Sequence, residues 1–257
     1  MRVIKLGGRA QNDPALATEI ARAWRAAKGK MCVIHGGGDE ITSLQVALGK
    51  TPRFVNGRRV TTADDIQLLR MVLSGVINKR LVSAFASAGV PAVGISGEDG
   101  KLITAKRGEE GDDLFPLGAV GAPTLINAGL LRELLGAGYM PVVSPVASDA
   151  GDAGGALNVN GDDAAAAVAA ALEASELLFV ADVAGVMQDD SVIHEVPLAS
   201  VPDLVAREIV RGGMTAKLEA AKNALSGGVG KVRVSDIAGV MDEKRGTTVT
   251  HTAGERT

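Results

Sequence analysis

Cysteine is almost absent from this 257-residue chain: Cys32 stands alone, inside the apolar run "KMCVIH". No intrachain disulfide can form, which fits a reducing compartment, and a lone thiol in such a run reads as a small buried hydrophobe rather than a nucleophile. Aromatic residues make up 2% of the sequence, so the core must be aliphatic. Basic excess is lacking too: the net charge is -3, and no cluster of Lys and Arg interleaved with aromatics provides the footprint of a nucleic-acid binder. No apolar run approaches the length of a membrane span, and the start "MRVIKLGG" is too short in apolar residues for a signal peptide, so the expected location is the cytoplasm.

Hydrophobic residues reach 46% and charged residues 22%, an ordinary globular mixture rich in Gly and Ala. The order of elements is informative. "RVIKL" reads as a buried strand ending at Gly7-Gly8, and Asp13-Pro14 starts a helix with Leu16, Ile20, Ala23 and Trp24 on one side, closed by Gly29. "MCVIH" is a second strand, followed by Gly36-Gly37-Gly38 and the helix "DEITSLQVALG". Strand, glycine turn and helix, twice over, predict a largely parallel sheet covered by helices.

Asn56-Gly57 within "RFVNGRRVT" predicts a hairpin. Three- and four-residue spacing of Ile66, Leu69, Leu73, Ile77, Leu81 and Phe85 predicts a long helix from 63 to 88, suited to a core or a dimer surface. Further strands are predicted at 91–95 and in "YMPVVSPV", with a helix between them near 127–135. Residues 148–163 read as a Gly/Asp-rich hairpin feeding an alanine-rich helix. A second set begins with a strand at 177–183 and continues with helices at 198–211 and 212–225 and the strands "KVRVSD" and "GTTVT". A soft boundary near residue 174 divides an N-terminal lobe, 1–174, from a smaller C-terminal lobe, 175–257.

Several familiar motifs fail. "GKT" at 49–51 has Leu44 where a P-loop needs Gly, "GGGDEI" has Ile41 where the dinucleotide fingerprint needs its third Gly, and "GISGED" lacks nucleophile-elbow spacing. His35, His194 and His251 are too scattered to ligate a metal, and His35, between strand and glycines, reads first as structural. What remains is Lys5 before Gly7-Gly8, the triple glycine, Asp162 at a helix start and Lys217 beside "GGM". Backbone N–H groups at glycine turns and helix N-termini bind phosphate oxygens, and lysines supply mobile positive charge. This is equipment for phosphoryl transfer, although each piece alone has a purely structural reading.

In order along nearly the whole chain, "IKLGG", "VIHGGG", "NGRRVT", "TLINAGLLRELLGAGYMPVVS", "LNVNGDDAA", "ADVAGV", "GGMTAKLEAA" and "GTTV" resemble the amino acid kinase family. The resemblance implies a three-layer αβα sandwich, the carbamate kinase-like fold, around a central, mostly parallel sheet. The N-terminal lobe then holds the amino acid and the C-terminal lobe holds ATP, with Mg2+ arriving on the nucleotide. Within the family the chain is most similar to members that phosphorylate the γ-carboxylate of N-acetyl-L-glutamate in arginine biosynthesis. By that resemblance Lys5 and Lys217 stabilise the transition state and Asp162 orients them. Gly8, Gly37 and Gly38 are backbone donors; Arg59 pairs with the substrate α-carboxylate and Asn158 contacts the substrate. Asp182, Val183, Ala184, Gly185, Val186, Met187, Ile209, Val210 and Arg211 fall where nucleotide binds.

Two points stay open at the level of sequence. Arg58 occupies a position usually apolar in the family, so Arg59 is preferred over it by alignment alone. Gly161 replaces the usual Ala before Asp162, as in kinases acting on aminoadipate or glutamate held by an acidic carrier protein, whereas "RVT" favours free acetylglutamate. A catalytically inactive sensor of the same fold is a third reading. Arginine-inhibited relatives carry an extra helix before the first strand, so the expectation here is an arginine-insensitive homodimer. Gly37→Val is expected to abolish turnover while leaving the fold largely intact.

Overall fold

A computed structural model describes residues 1–55, 58–109, 115–152 and 154–251. The chain runs β1 (Arg2–Leu6), α1 (Leu16–Ala26), β2 (Met31–His35), α2 (Gly38–Ala47), β3 (Phe54–Val55), β4 (Arg58–Arg59) and α3 (Ala63–Leu69). It continues through α4 (Asn78–Ser87), β5 (Ala92–Gly97), β6 (Ile103–Arg107), β7 (Val120–Ile126), α5 (Ala128–Gly136), β8 (Met140–Asp149), β9 (Ala156–Val159) and α6 (Gly161–Ala171). The last part comprises β10 (Glu176–Val180), β11 (Val186–Gln188), β12 (Ser191–Ile193), β13 (Glu195–Pro197), α7 (Val201–Ala206), α8 (Gly213–Ser226), β14 (Val232–Ser235) and β15 (Thr247–Thr250).

Among the described residues one sheet carries the fold, in the order β13-β15-β14-β10-β1-β2-β8-β6-β7-β9, with β5 also paired to β8. At its centre β1 lies parallel to both β2 and β10, paired over all five residues on each side. Every residue of β2 and β10 is buried, as a parallel sheet covered on both faces requires. The sheet therefore passes without interruption across residue 174. Its core is aliphatic, with Ile4, Leu6, Ile34, Val143 and Leu178 fully buried. Cys32 sits among them, and burial pushes its thiol pKa up to about 12, consistent with a packing residue.

The predicted helix at 63–88 is continuous but not uniform. Thr62 caps α3 through a reciprocal pair with Asp65. Residues Arg70–Ile77 then take the wider π-helical winding before α4 resumes. Such winding is uncommon and concentrates near functional sites. Here it sets Leu73 and Ile77 beneath the triple glycine and lets Ser74 Oγ meet Ser144 Oγ at 2.7 Å. Arg70 anchors the segment through a forked contact with Glu98.

Other departures from the sequence expectation are local. The strand at 177–183 is shorter, 176–180, and the helix at 198–211 reduces to a 3-10 turn (Leu198–Ser200) and the six residues of α7. The small hairpin β11–β12 and the edge strand β13 carry no sequence prediction. The β3–β4 hairpin forms as expected, Phe54 opposite Arg59 and Val55 opposite Arg58, while its Asn56-Gly57 turn lies outside the described residues. The hairpin at 148–163 appears as β8 paired with β9. No helix among the described residues is long and apolar enough to cross a membrane.

Gly37 is a packing glycine. A Cβ there would lie within 2.1 Å of Ile77 Cδ1 and 2.9 Å of Leu73 Cδ2, whereas one on Gly38 would meet nothing within 4 Å. The structure thus revises the expectation that Gly37→Val spares the fold: overpacking of this kind costs about 1–3 kcal/mol. Urea denaturation should show that loss for Gly37→Val and a much smaller one for Gly38→Ala; equal stabilities would contradict the packing role.

Candidate active site

Two glycine turns meet because the strands that precede them are neighbours. Leu6 and His35 end β1 and β2 in register, so Gly7-Gly8 and Gly36–Gly38 emerge side by side at the C-terminal edge of the sheet, where open α/β folds place their ligands. Gly36 N donates to Leu6 O at 3.2 Å, and Gly7 N donates to Val180 O at 2.8 Å, tying both turns to the central strands. Gly38 opens α2, whose N-terminal N–H groups are free of helical partners in the usual way.

Asp162 is brought to this edge by α6, which packs on β1. Asn160 caps that helix, its side chain accepting from Asp162 N at 2.8 Å, and the carboxylate then falls on Lys5. Lys5 Nζ lies 2.7 Å from Asp162 Oδ1, and Lys217 Nζ, arriving from α8, lies 3.4 Å from Oδ2. One carboxylate thus holds two ammonium groups, one on each oxygen. Lys5 and Asp162 are both buried. Burial pushes the Asp162 carboxyl upward, but Lys5 and Lys217 outweigh it and hold it below the usual carboxylate range. Burial pulls the Lys5 ammonium down, Asp162 opposes this, and the like charge of Lys217 adds to it. Two cations sharing one anion leave positive charge at a water-poor site, where charge counts most.

A cavity of about 260 Å³ adjoins this trio, and Lys5, Gly8, Gly37, Gly38, Arg59, Asn158 and Asp162 all lie in its walls. Gly8 and Gly38 leave open space where a side chain would stand. Arg59 is buried beneath Phe54, whose ring centroid is 4.6 Å from the guanidinium carbon. Its Nη1 donates to Gln45 Oε1 at 2.5 Å, and its Nη2 donates to Gly38 O and Thr42 Oγ1 at 2.8 and 2.7 Å. A bidentate grip on a carboxylate would require one of those bonds to yield. Arg58 also reaches the cavity wall but is held by Asp163, 2.7 Å away. The two neighbouring arginines thus have different surroundings, Arg59 bonded to α2 and Arg58 to α6. Asn158 Nδ2 donates to Thr61 Oγ1 at 2.9 Å.

The expected nucleotide residues lie on the loop after β10, the start of β11 and the turn after α7, and the cavity is not lined by them. Asp182, half-exposed, accepts from Arg9 Nη1 at 3.0 Å, and Arg9 Nε approaches Asp39 Oδ2 at 3.6 Å. Arg9 thus bridges the first helix turn of α2 and the loop after β10. Sequence reasoning passed over Arg9, Gln45 and Asp163. A cation directly after Gly7-Gly8 and a second acid directly after Asp162 were the available signals.

His35 takes the structural role. Its Nδ1 lies 3.0 Å from Gly36 O and its Nε2 lies 3.2 Å from Asn78 Nδ2. Asn78 also donates to Val142 O at 2.8 Å, so its amide N–H serves His35 Nε2 and the imidazole is neutral with Nδ1 protonated. Burial lowers its pKa from 6.5 to about 4. The unfolded chain therefore takes up this proton first: the contribution of His35 to stability is complete above pH 6.5 and declines as pH falls toward 4. NMR titration should find the ring neutral until near pH 4, and His35→Asn should flatten the acid slope of stability over that interval. Protonation near 6.5 would refute the assignment.

Comparison with known proteins agrees with this geometry. The profile of the amino acid kinase family matches residues 1–236. The acetylglutamate kinase of Roseiflexus sp. (strain RS-1) is 41% identical over 249 residues, 96% of this chain and 92% of that protein. That of Methanopyrus kandleri is 40% identical over 259 residues, 97% of this chain and 100% of that protein. Among solved structures, smu.665 from Streptococcus mutans UA159 superposes with a TM-score of 0.85 at 27% identity, covering 97% of this chain and 98% of that one. Carbamate kinase from Giardia has the same fold, with a TM-score of 0.68 at 15% identity over 98% of both chains. The chain belongs to the amino acid kinase family.

Proposed function

We propose that the protein transfers the γ-phosphoryl group of ATP to the γ-carboxylate of N-acetyl-L-glutamate, giving N-acetyl-L-glutamyl 5-phosphate in arginine biosynthesis. The observation that carries this reading is the buried Lys5–Asp162 pair in the wall of a small cavity edged by two glycine turns, with Lys217 on the other oxygen of the same carboxylate. The names of the relatives near 40% identity favour free N-acetyl-L-glutamate over a carrier-bound acid or an inactive sensor.

The acceptor is already a carboxylate at neutral pH, so the chemistry needs no general base. Its oxygen forms a bond to the γ-phosphorus while the bond from phosphorus to the β,γ-bridging oxygen breaks, and ADP leaves with that electron pair. The obstacle is the approach of two anions, followed by movement of charge to the leaving oxygen. Lys5 and Lys217 offer positive charge on either side of the transferring group, and Asp162 keeps both ammonium groups aimed at it. Backbone N–H groups of Gly8, Gly37 and Gly38 supply donors fixed in advance, as electrostatic catalysis requires. Arg59 and Asn158 orient the substrate through its α-carboxylate and amide.

Among the described residues no group of three His, Cys, Asp or Glu side chains is gathered for a metal ion. Mg2+ is assigned to the nucleotide, whose phosphates and water would hold it and whose charge it would neutralise. Residues 1–174 are assigned to the amino acid and 175–257 to ATP, the latter through 182–187 and 209–211. A cytoplasmic homodimer completes the reading, with exposed Met71 and Val76 on the helix at 63–87 supporting a contact there.

With ATP, N-acetyl-L-glutamate and hydroxylamine, the protein should accumulate acyl hydroxamate, whereas free glutamate should give none. Lys217→Ala should lower kcat by about 100-fold or more with KM for N-acetyl-L-glutamate little changed, the pattern of an interaction made in the transition state. Wild-type turnover by Lys217→Ala would remove the lysine from the mechanism.

A further inference from the structure

A second and larger space, about 820 Å³, lies next to the catalytic cavity. It runs between α6 and α8 and is closed on the other side by β7 and the β3–β4 hairpin. None of the residues assigned to nucleotide, 182–187 and 209–211, is in its walls. Val55, Ala122, Pro123, Ala166, Ala167 and Ala170 give it an apolar lining, and Glu219 adds negative charge.

Arg58 and Ala216 line both spaces. The hairpin explains how. Side chains alternate along its strands, and the pair Phe54 and Arg59 borders the catalytic cavity while the pair Val55 and Arg58 borders the groove. Arg58 then reaches across to α6, where its Nη1 meets Asp163 Oδ2 at 2.7 Å. Both side chains are largely withdrawn from solvent, at 22% and 15% exposure. An ion pair at this depth holds its geometry better than one at the free surface.

β7 links the two spaces in a definite direction. Val120, in register with Asn158, is in the wall of the catalytic cavity, and Ala122 and Pro123, the next residues but one and two, are in the wall of the groove. At about 3.3 Å per residue the distance from one to the other is about 7 Å along the strand. Asn158 is the residue assigned to the substrate amide, and its partner in register, Val120, stands two residues before the groove wall on β7.

We propose that the Arg58–Asp163 ion pair is a gate that fixes the size of the N-acyl group, closing the catalytic cavity against a groove able to take a longer, neutral acyl chain. The inference rests on N-acetyl-L-glutamate as the substrate. A neutral chain is specified because Asp163 and Glu219 would repel an acidic one. Burial holds the Asp163 carboxyl above its usual pKa, against the opposing pull of Arg58.

The test is kcat/KM at saturating ATP for N-acetyl-, N-butanoyl- and N-hexanoyl-L-glutamate, with wild type, Arg58→Ala, Arg58→Lys and Asp163→Asn. A methylene that a pocket cannot place changes kcat/KM by about tenfold or more. Arg58→Ala should therefore raise the hexanoyl-to-acetyl ratio by at least about tenfold over wild type, Asp163→Asn should raise it in the same direction, and Arg58→Lys, which restores a cation to Asp163, should keep the wild-type ratio. A merely structural role would lower turnover of all three substrates together. Unchanged ratios in both Arg58→Ala and Asp163→Asn, with the wild type active on N-acetyl-L-glutamate, would overturn the gate and leave the functional reading standing. A wild type unable to phosphorylate N-acetyl-L-glutamate would remove both.

Discussion

Asp162 shares its two oxygens between Lys5 and Lys217, and this division governs the rest of the site. Either lysine alone against the carboxylate would make a neutral pair, costly to bury and of little use to an incoming anion. With both present, the carboxylate fixes their positions and still leaves net positive charge. The three residues come from a central strand, the first turn of one helix and the second turn of another. Their meeting therefore depends on α6 crossing β1 and on α8 lying beside α6. Gly161 belongs to the same arrangement: a Cβ there would come within 3.3 Å of Lys5 Cε, so its absence gives the lysine chain room.

The glycines around this charge serve different purposes. Gly8 and Gly38 leave space toward the cavity, whereas Gly37 makes room for Ile77 and Leu73 from below. The triple glycine is therefore a joint between ligand space and core. The π-helical winding, the Ser74–Ser144 contact and the His35–Asn78 pair form the support under it. A neutral buried histidine suits that position, since a charged one would add to the positive field of the lysines.

Much of this was legible from local sequence because the glycine turns and the residues beside them are contiguous. Lys5 with Gly7-Gly8, the triple glycine and Asp162 at a helix start follow from strand, turn and helix signals of a few residues each, while the cap itself proves to be Asn160. The Arg58–Asp163 pair was not legible, since it joins positions 105 residues apart and depends on where the hairpin settles. The π-helical winding was hidden because its apolar spacing matches that of an ordinary helix. The β11–β12 hairpin was missed for a different reason: its turn uses Asp189 and Asp190, both with positive φ, where Asn-Gly would have announced it. Similarly, Glu208 at φ 58 ends the segment that apolar spacing carried on to residue 211.

The unbroken pairing of β1 with β2 and β10 bears on how molecules enter and leave. Five residue pairs on each side hold the three strands under the site together. Among the described residues the β3–β4 hairpin joins the sheet by no strand pairing, and side chains hold it instead, Arg59 to Gln45, Gly38 and Thr42 and Arg58 to Asp163. The site thus has a floor held by backbone pairing and a cover held by side chains.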